Sequence, residues 1–381
     1  MSLADLTRTH RVCREERTAD LIRHCRRQLD RSIAAEVDAH AHWIEGQSTD
    51  PLPYYHFAEM CRWYGHLDLW REAVDIALGL SHYAPEQLIE RAHAKLLLGD
   101  WSGWRDRESR FFLGGTGLPY QLRSIRERWD GREDIVGKSL LIVSDGGFGD
   151  CMQMLRFLPW ITRSARRVTL AVQPELVELA TYNFPDTSIC TIQDAIVTSY
   201  DRYVSVLSLP AMVGALPPFE TLRAPTPTRR AGVGLCWAGS PLTQMELRQP
   251  LSLDAFSPLL GRRDVSWYSL QIGPRAEEVV SYPTVTVPPE PLSTFAETAN
   301  LIAGLDAVVT VDTSVAHLAG SLGVPTFLLL HVVADPRWGL ADATPWYPSM
   351  CLIRQRRPGD WTGVIDELAD RIAVTIPRVA S

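Results

Sequence analysis

Residues 308–325 constrain the fold more than any other part of this chain. Val308-Val309-Thr310-Val311 is apolar and β-branched, which suits a strand buried on both faces. Asp312-Thr313-Ser314 follows as a polar turn whose hydroxyls suit the start of a helix. Gly323 and Pro325 end that helix, since glycine accepts a left-handed cap and proline has no N–H to continue. A buried strand, a sharp polar turn and a short helix are half of a βαβ unit, so a parallel sheet with helices on its faces is expected. The N–H groups and dipole at such a helix start favour an anion. His317 lies one turn in, on the face shared with Thr313 and Ser314, where it can point at the same ligand. Taken alone, the segment also reads as a capped helix with an internal histidine.

The same alternation begins near residue 135. Strands are predicted over 138–144, 168–173, 203–207, 233–237, 267–271 and 326–330, besides 308–311. Helices are predicted over 151–161, from Pro174, and over 253–260, 295–305, 315–322 and 360–374. Pro217-Pro218, Pro225 and Pro227 mark a linker, which leaves two small α/β units over 131–225 and 226–381 with a cleft between them.

Residues 1–130 read as helical. Leu21, Ile22, Cys25 and Leu29 recur at helical spacing, and Arg8, Arg11, Arg14 and Arg17 alternate with Glu15, Glu16 and Asp20 as a solvated face. Residues 57–67 with 70–78, then 92–101 with Gly103-Trp104, repeat an apolar helix, a glycine turn and a second helix. The repeat distance, about 35 residues, is that of tetratricopeptide-like hairpins. Trp63, Trp70, Trp101, Trp104 and Trp129 are read as packing surfaces.

Composition removes several function classes. A net charge of −7 argues against a general nucleic-acid binder. Only Lys95 and Lys138 are lysine, so beyond residue 138 an anion must be held by arginine, hydroxyls or backbone N–H. The seven cysteines are scattered without a C-x-x-C, which suits a reducing compartment and no disulfide or zinc framework. Residues 1–20 are dense in charge and no apolar run is long enough to span a bilayer, so a cytoplasmic protein without signal peptide or membrane span is expected.

Four loops at predicted strand ends carry chemistry. Asp145-Gly146-Gly147-Phe148-Gly149-Asp150 lies between the first strand and its helix; its glycines allow close approach, and Asp150 serves either as a helix cap or as a general base facing the cleft. Cys236-Trp237-Ala238-Gly239-Ser240-Pro241 makes a turn suited to phosphate oxygens, with Arg248 following. Ser269-Leu270-Gln271-Ile272-Gly273 is the third, and Asp312–His317 the fourth. The carboxyl edge of a parallel sheet is where α/β folds bind ligands. Gly137-Lys138-Ser139 imitates the end of a P-loop, but at the wrong spacing and ahead of a strand.

The ordered set Gly147-Phe148-Gly149-Asp150 with Gln153, Leu155-Arg156-Phe157-Leu158-Pro159, Ser208-Leu209-Pro210, Trp237-Ala238-Gly239, Ser269-Leu270-Gln271 and Val311–Gly320 resembles the bacterial tetratricopeptide-linked glycosyltransferases. These are similar to glycosyltransferase family 9, the heptosyltransferase group. Leu98–Arg105 and Pro345-Trp346-Tyr347-Pro348 share the likeness, which covers roughly residues 90–365. It implies a GT-B fold: a pair of Rossmann-like units behind the helical region. The nucleotide-sugar donor would lie on the second unit, and a protein or glycan acceptor would face the first. It implies an inverting transfer without essential metal or cofactor, and the chain has no Asp-x-Asp pair. Asp150 becomes the base. Trp237, Gly239, Ser240, Arg248, Gln271, Gly273, Asp312, Thr313, Ser314 and His317 become donor contacts, and Gly147, Phe148, Gly149 and Gln153 the acceptor-side loop. After Pro241 the chain lacks the histidine usual in that group. A GT-B-like sugar-nucleotide epimerase and a partner-binding adaptor with a degenerate α/β half are the other readings.

Overall fold

A computed structural model describes residue 21 and residues 34–46, 49–64, 66–80, 84–113, 128–239, 251–262, 264–289 and 292–375. The arginine-rich helix expected at the N-terminus therefore lies outside the described residues, as do Ser240 and Arg248. Two compact units form. One comprises Met1–Gly115 with Asp335–Gly339 and Arg356–Pro358; the other holds the rest of the chain.

The first unit is helical: α1 (Ala34–Gly46), α2 (Leu52–Trp63), α3 (Leu67–Leu78) and α4 (Pro85–Leu97), followed by a short turn of helix at Gly103–Asp106. Pro51 and Pro85 open α2 and α4, where a missing N–H does no harm. Tyr54, Phe57, Cys61, Leu69, Trp70 and Ala73 are all but fully buried along the α2–α3 contact. Gly103 lets the second hairpin close, since a Cβ there would fall 2.9 Å from the Ala92 carbonyl oxygen. Two helical hairpins thus stand where the spacing placed them, the second with only one turn in its return helix.

The second unit contains two parallel sheets. The first has the order β3-β2-β1-β4, from β1 (Ser139–Val143), β2 (Arg167–Val172), β3 (Ser188–Thr191) and β4 (Arg202–Ser205). The second has the order β10-β9-β8-β5-β6-β7, from β5 (Val233–Cys236), β6 (Trp267–Ser269), β7 (Val285–Thr286), β8 (Ala307–Val311), β9 (Thr326–Leu330) and β10 (Met350–Arg354). All pairings between these strands are parallel. The helices that position the site are α5 (Phe148–Met154), α6 (Pro174–Asn183), α7 (Phe295–Ile302), α8 (Ser314–Ser321) and α9 (Trp361–Thr375).

The pair of doubly wound sheets is the architecture expected of a GT-B fold. Val233, Leu235 and Trp237, with Val309, Val311, Phe327 and Leu329, face a core closed by Ile365, Leu368 and Ile372 of α9. Val308, Thr310, Leu328 and Leu330 occupy alternate positions of the same strands and are buried as well. Burial on both faces explains why these strands read as continuous apolar runs. Three strands escaped the sequence reading. β3 and β7 are short edge strands without an apolar run, and β10 follows a tryptophan- and proline-rich loop. Arg128 and Trp129, assigned to the helical region by sequence, pair with Tyr203 of β4 instead. Lys138, the end of the false P-loop, leads into β1 and pairs with Glu133.

In the helical unit a half-buried acid closes the second hairpin. Asp106 accepts from Arg91 at 2.8 and 2.7 Å and from Lys95 at 2.8 Å. Burial works to raise its carboxyl, but these hydrogen bonds and charges outweigh burial and hold it below its ordinary 3.8. A depressed folded value makes the stabilisation complete above the unfolded pKa and lost as pH falls through the folded one. Asp106→Asn is expected to lower stability at neutral pH by about 1–3 kcal/mol. The gap to wild type should close below about pH 4, as read by thermal unfolding followed by circular dichroism across that range.

Candidate active site

Where a parallel sheet reverses its winding, the carboxyl ends of the two central strands leave a crevice. In the second sheet this point lies between β5 and β8; in the first it lies between β1 and β4. Each carries one of the glycine- or hydroxyl-rich loops.

Between β5 and β8 two turns meet. A Cβ on Gly239 would stand 3.7 Å from Thr313 Cγ2 and 3.9 Å from the Asp312 carbonyl oxygen, so both turns line one crevice. Gln271, just past β6, holds the first turn in shape. Its Oε1 accepts from the N–H groups of Trp237 at 3.1 Å and Ala238 at 2.9 Å, and its Nε2 donates to the Ala238 and Ile272 carbonyls at 3.1 Å each. The Gln271 amide thus shapes the crevice from behind, with the side chain buried. Thr310 donates to the Val311 carbonyl at 2.8 Å, so its oxygen accepts the Thr313 hydroxyl at 3.0 Å. Turned inward, that hydroxyl does not cap α8. Asp312 is exposed beside it, and Thr313 and Ser314 are half-exposed.

Between β1 and β4 stands Asp150, the third residue of α5, which accepts from the Gly147 N–H at 2.9 Å. Capping is therefore one role of this carboxylate. A Cβ on Gly146 would fall 2.5 Å from Asp150 Oδ2, so glycine is what leaves room for it. The neighbouring Cys151 thiol is wholly buried and pushed up to about 12 by burial, which removes it as a nucleophile.

The two loops face each other because α5 packs on α8. A Cβ on Gly149 would lie 2.4 Å from His317 Cδ2. Further along both helices, Gln153 and Ser321 line one cavity of about 210 Å³, so the helices run in the same direction. Their N-termini therefore open at the same end, and the positive ends of both dipoles point into one cleft. Phe148 and Phe295 close the side of this contact with ring centroids 4.9 Å apart. His317 is buried; its Nδ1 lies 3.0 Å from Tyr347 Oη and its Nε2 4.0 Å from Asp312 Oδ1.

The sequence-assigned residues divide accordingly. Gly147, Gly149, Asp150, Gly239, Gln271, Asp312, Thr313, Ser314 and His317 gather at the facing strand ends. Trp237 requires correction: its indole is fully buried in the core, because position 237 continues the alternation of Val233 and Leu235, so only its backbone borders the crevice. Gln153 is likewise no loop residue but a buried side chain on α5. Gly273 has φ +75° and opens a 3-10 turn, which only glycine adopts freely. Tyr347 and Arg156 were singled out only as parts of shared motifs. Tyr347 holds His317, and Arg156, in the 3-10 turn after α5, donates to the Pro217 carbonyl at 2.7 Å and the Trp346 carbonyl at 2.9 Å.

Comparison with known proteins gives the following. Residues 283–355 match the family model of glycosyltransferase family 9 (heptosyltransferase). The curated protein FlbA of Caulobacter vibrioides is 26% identical over 333 residues, covering 75% of this chain, and the chain spans 55% of its length. Among solved structures, a family 9 glycosyl transferase from Veillonella parvula aligns with a TM-score of 0.49 at 11% identity, over 65% of this chain and 99% of that one. E. coli heptosyltransferase WaaC with ADP aligns with a TM-score of 0.46 at 14% identity, over 62% and 99% respectively.

The α5–α8 contact can be tested by adding one carbon. Gly149→Ala should destabilise by about 1–3 kcal/mol through overpacking against His317. Combined with His317→Ala, it should cost clearly less than the sum of the two single changes, as read from urea unfolding of all three variants.

Proposed function

We propose that this chain, whose residues 283–355 match the glycosyltransferase family 9 model, transfers a sugar from a nucleotide-activated donor to a hydroxyl of a protein or glycan. The observation that carries this reading is the facing of two loops: the uncapped start of α8, suited to a diphosphate, and Asp150 at the start of α5. The family segment includes the turn Asp312–His317.

In this reading the donor nucleotide lies along the β5–β8 crevice. Gly239 allows its phosphates to approach the backbone, and Asp312, Thr313, Ser314 and His317 line its path; Ser240, Arg248 and Gly273 are assigned to the donor from the sequence alone. The acceptor enters from the Gly147–Gly149 side. The acceptor oxygen attacks the anomeric carbon from the face opposite the leaving group and forms the new C–O bond with inversion. The bond to the diphosphate breaks, and its electron pair leaves on the phosphate oxygen, where the α8 N–H groups hold the charge. Asp150 takes the proton that the acceptor hydroxyl sheds as the bond forms. The helical unit, whose hairpins we read as tetratricopeptide-like, serves acceptor choice.

Asp150→Asn keeps the cap to Gly147 while removing the basic oxygen. Single-turnover transfer should fall about 10²–10⁴-fold with the fold and donor affinity retained. A rate within about threefold of wild type would leave Asp150 a cap alone, since asparagine caps as well as aspartate. The reading assigns no metal, on the ground that the sequence has no Asp-x-Asp pair. Transfer should accordingly persist in excess EDTA, and restoration by Mg²⁺ or Mn²⁺ of a lost activity would refute that part.

A further inference from the structure

We infer that Tyr347 is a positioning residue that fixes which nitrogen of His317 carries the proton; the functional part of this inference rests on the donor site proposed above. His317 is gripped from two sides. Its ring carbon meets Gly149, where no side chain fits, and its Nδ1 lies 3.0 Å from Tyr347 Oη. Tyr347 cannot swing away: it is 3% exposed, its ring fills the space a Cβ on Gly320 would need, at 2.5 Å, and Phe219 meets it edge-on. The His317 and Tyr347 rings meet nearly edge to face, with centroids 5.9 Å apart.

The remaining nitrogen, Nε2, lies 4.0 Å from the Asp312 carboxylate. The proton of a neutral imidazole sits on Nδ1 or Nε2, and the partner of one nitrogen decides the state of the other. With the proton on Nδ1, a lone pair on Nε2 would confront Asp312, and a donor phosphate in the same crevice would add a second anion. With the Tyr347 hydroxyl donating to Nδ1, the proton sits on Nε2 and is offered toward both acceptors. The phenol O–H is a stronger acid than a neutral imidazole N–H, which makes it the donor of this pair. Tyr347 thus makes His317 a hydrogen-bond donor to the leaving phosphate without touching the donor itself.

The test uses the full chain. Long-range ¹H–¹⁵N spectra at about pH 8, above the ordinary imidazole range, report the tautomer directly. Wild type should show His317 protonated on Nε2, and Tyr347→Phe should show a mixture. A wild-type proton on Nδ1, or an unchanged Nε2 tautomer in Tyr347→Phe, overturns the inference. The second measurement is calorimetric affinity for ADP, as a nucleoside diphosphate probe, in a double-mutant cycle. Tyr347→Phe should weaken binding about tenfold beside His317 but by less than about twofold beside His317→Gln, whose amide N–H needs no tautomer. Equal losses in both backgrounds would make Tyr347 a packing residue only and overturn the inference. Absence of ADP binding in wild type would count against the donor reading, while the spectra would still decide the role of Tyr347.

Discussion

The site depends on the packing of two short parallel helices, α5 on α8. Gly149 permits that approach, because the His317 ring occupies the space its side chain would fill. Each helix begins at the carboxyl end of a central strand, and each belongs to a different sheet. Bringing their flanks together at one glycine aligns their N-termini and aims two dipoles into a single cleft. Asp150 and the Asp312–Ser314 turn face each other across this contact.

Around this contact polar side chains bond within the protein and fix the course of the backbone. Gln271 directs its amide to the turn after β5, where loss of that partner would strand buried N–H groups of Trp237 and Ala238. Thr313 turns its hydroxyl toward Thr310, which leaves the start of α8 without a side-chain cap. Asn183 ties the linker to α6 by accepting from the Arg223 N–H at 2.7 Å and donating to its carbonyl at 3.0 Å. Arg156 does the same between the turn after α5, the Pro217 segment and the loop before β10. Rigid supports of this kind are what hold a crevice open for an anion.

The alternation of apolar strands and short helices and the glycine-rich strand ends were legible because each is a local property of a few neighbouring residues. Burial on both faces wrote β8 and β9 as apolar runs, and Gly323 and Pro325 wrote the end of α8. The edge strands β3 and β7 were illegible, since an edge strand is held by one neighbour and needs no apolar run. The roles within the loops were partly misread, because a residue's type does not say which way it points. Trp237 follows the strand's alternation into the core, and Gln271 points back at the chain.

By itself, the sequence determined seven of the ten described strands, the approximate place of the helices between them, and which loops at strand ends hold glycines, hydroxyls and carboxylates. Periodicity, capping and backbone freedom act over a handful of residues, so they can be read without knowledge of any long-range contact. Only the tertiary structure decided that Gly149 meets His317 and that Tyr347 reaches the His317 Nδ1. These depend on distances between residues 30 to 170 positions apart along the chain, roughly the reach of a whole α/β unit. Packing of helices from different sheets sets such distances, and no local pattern in the sequence records them.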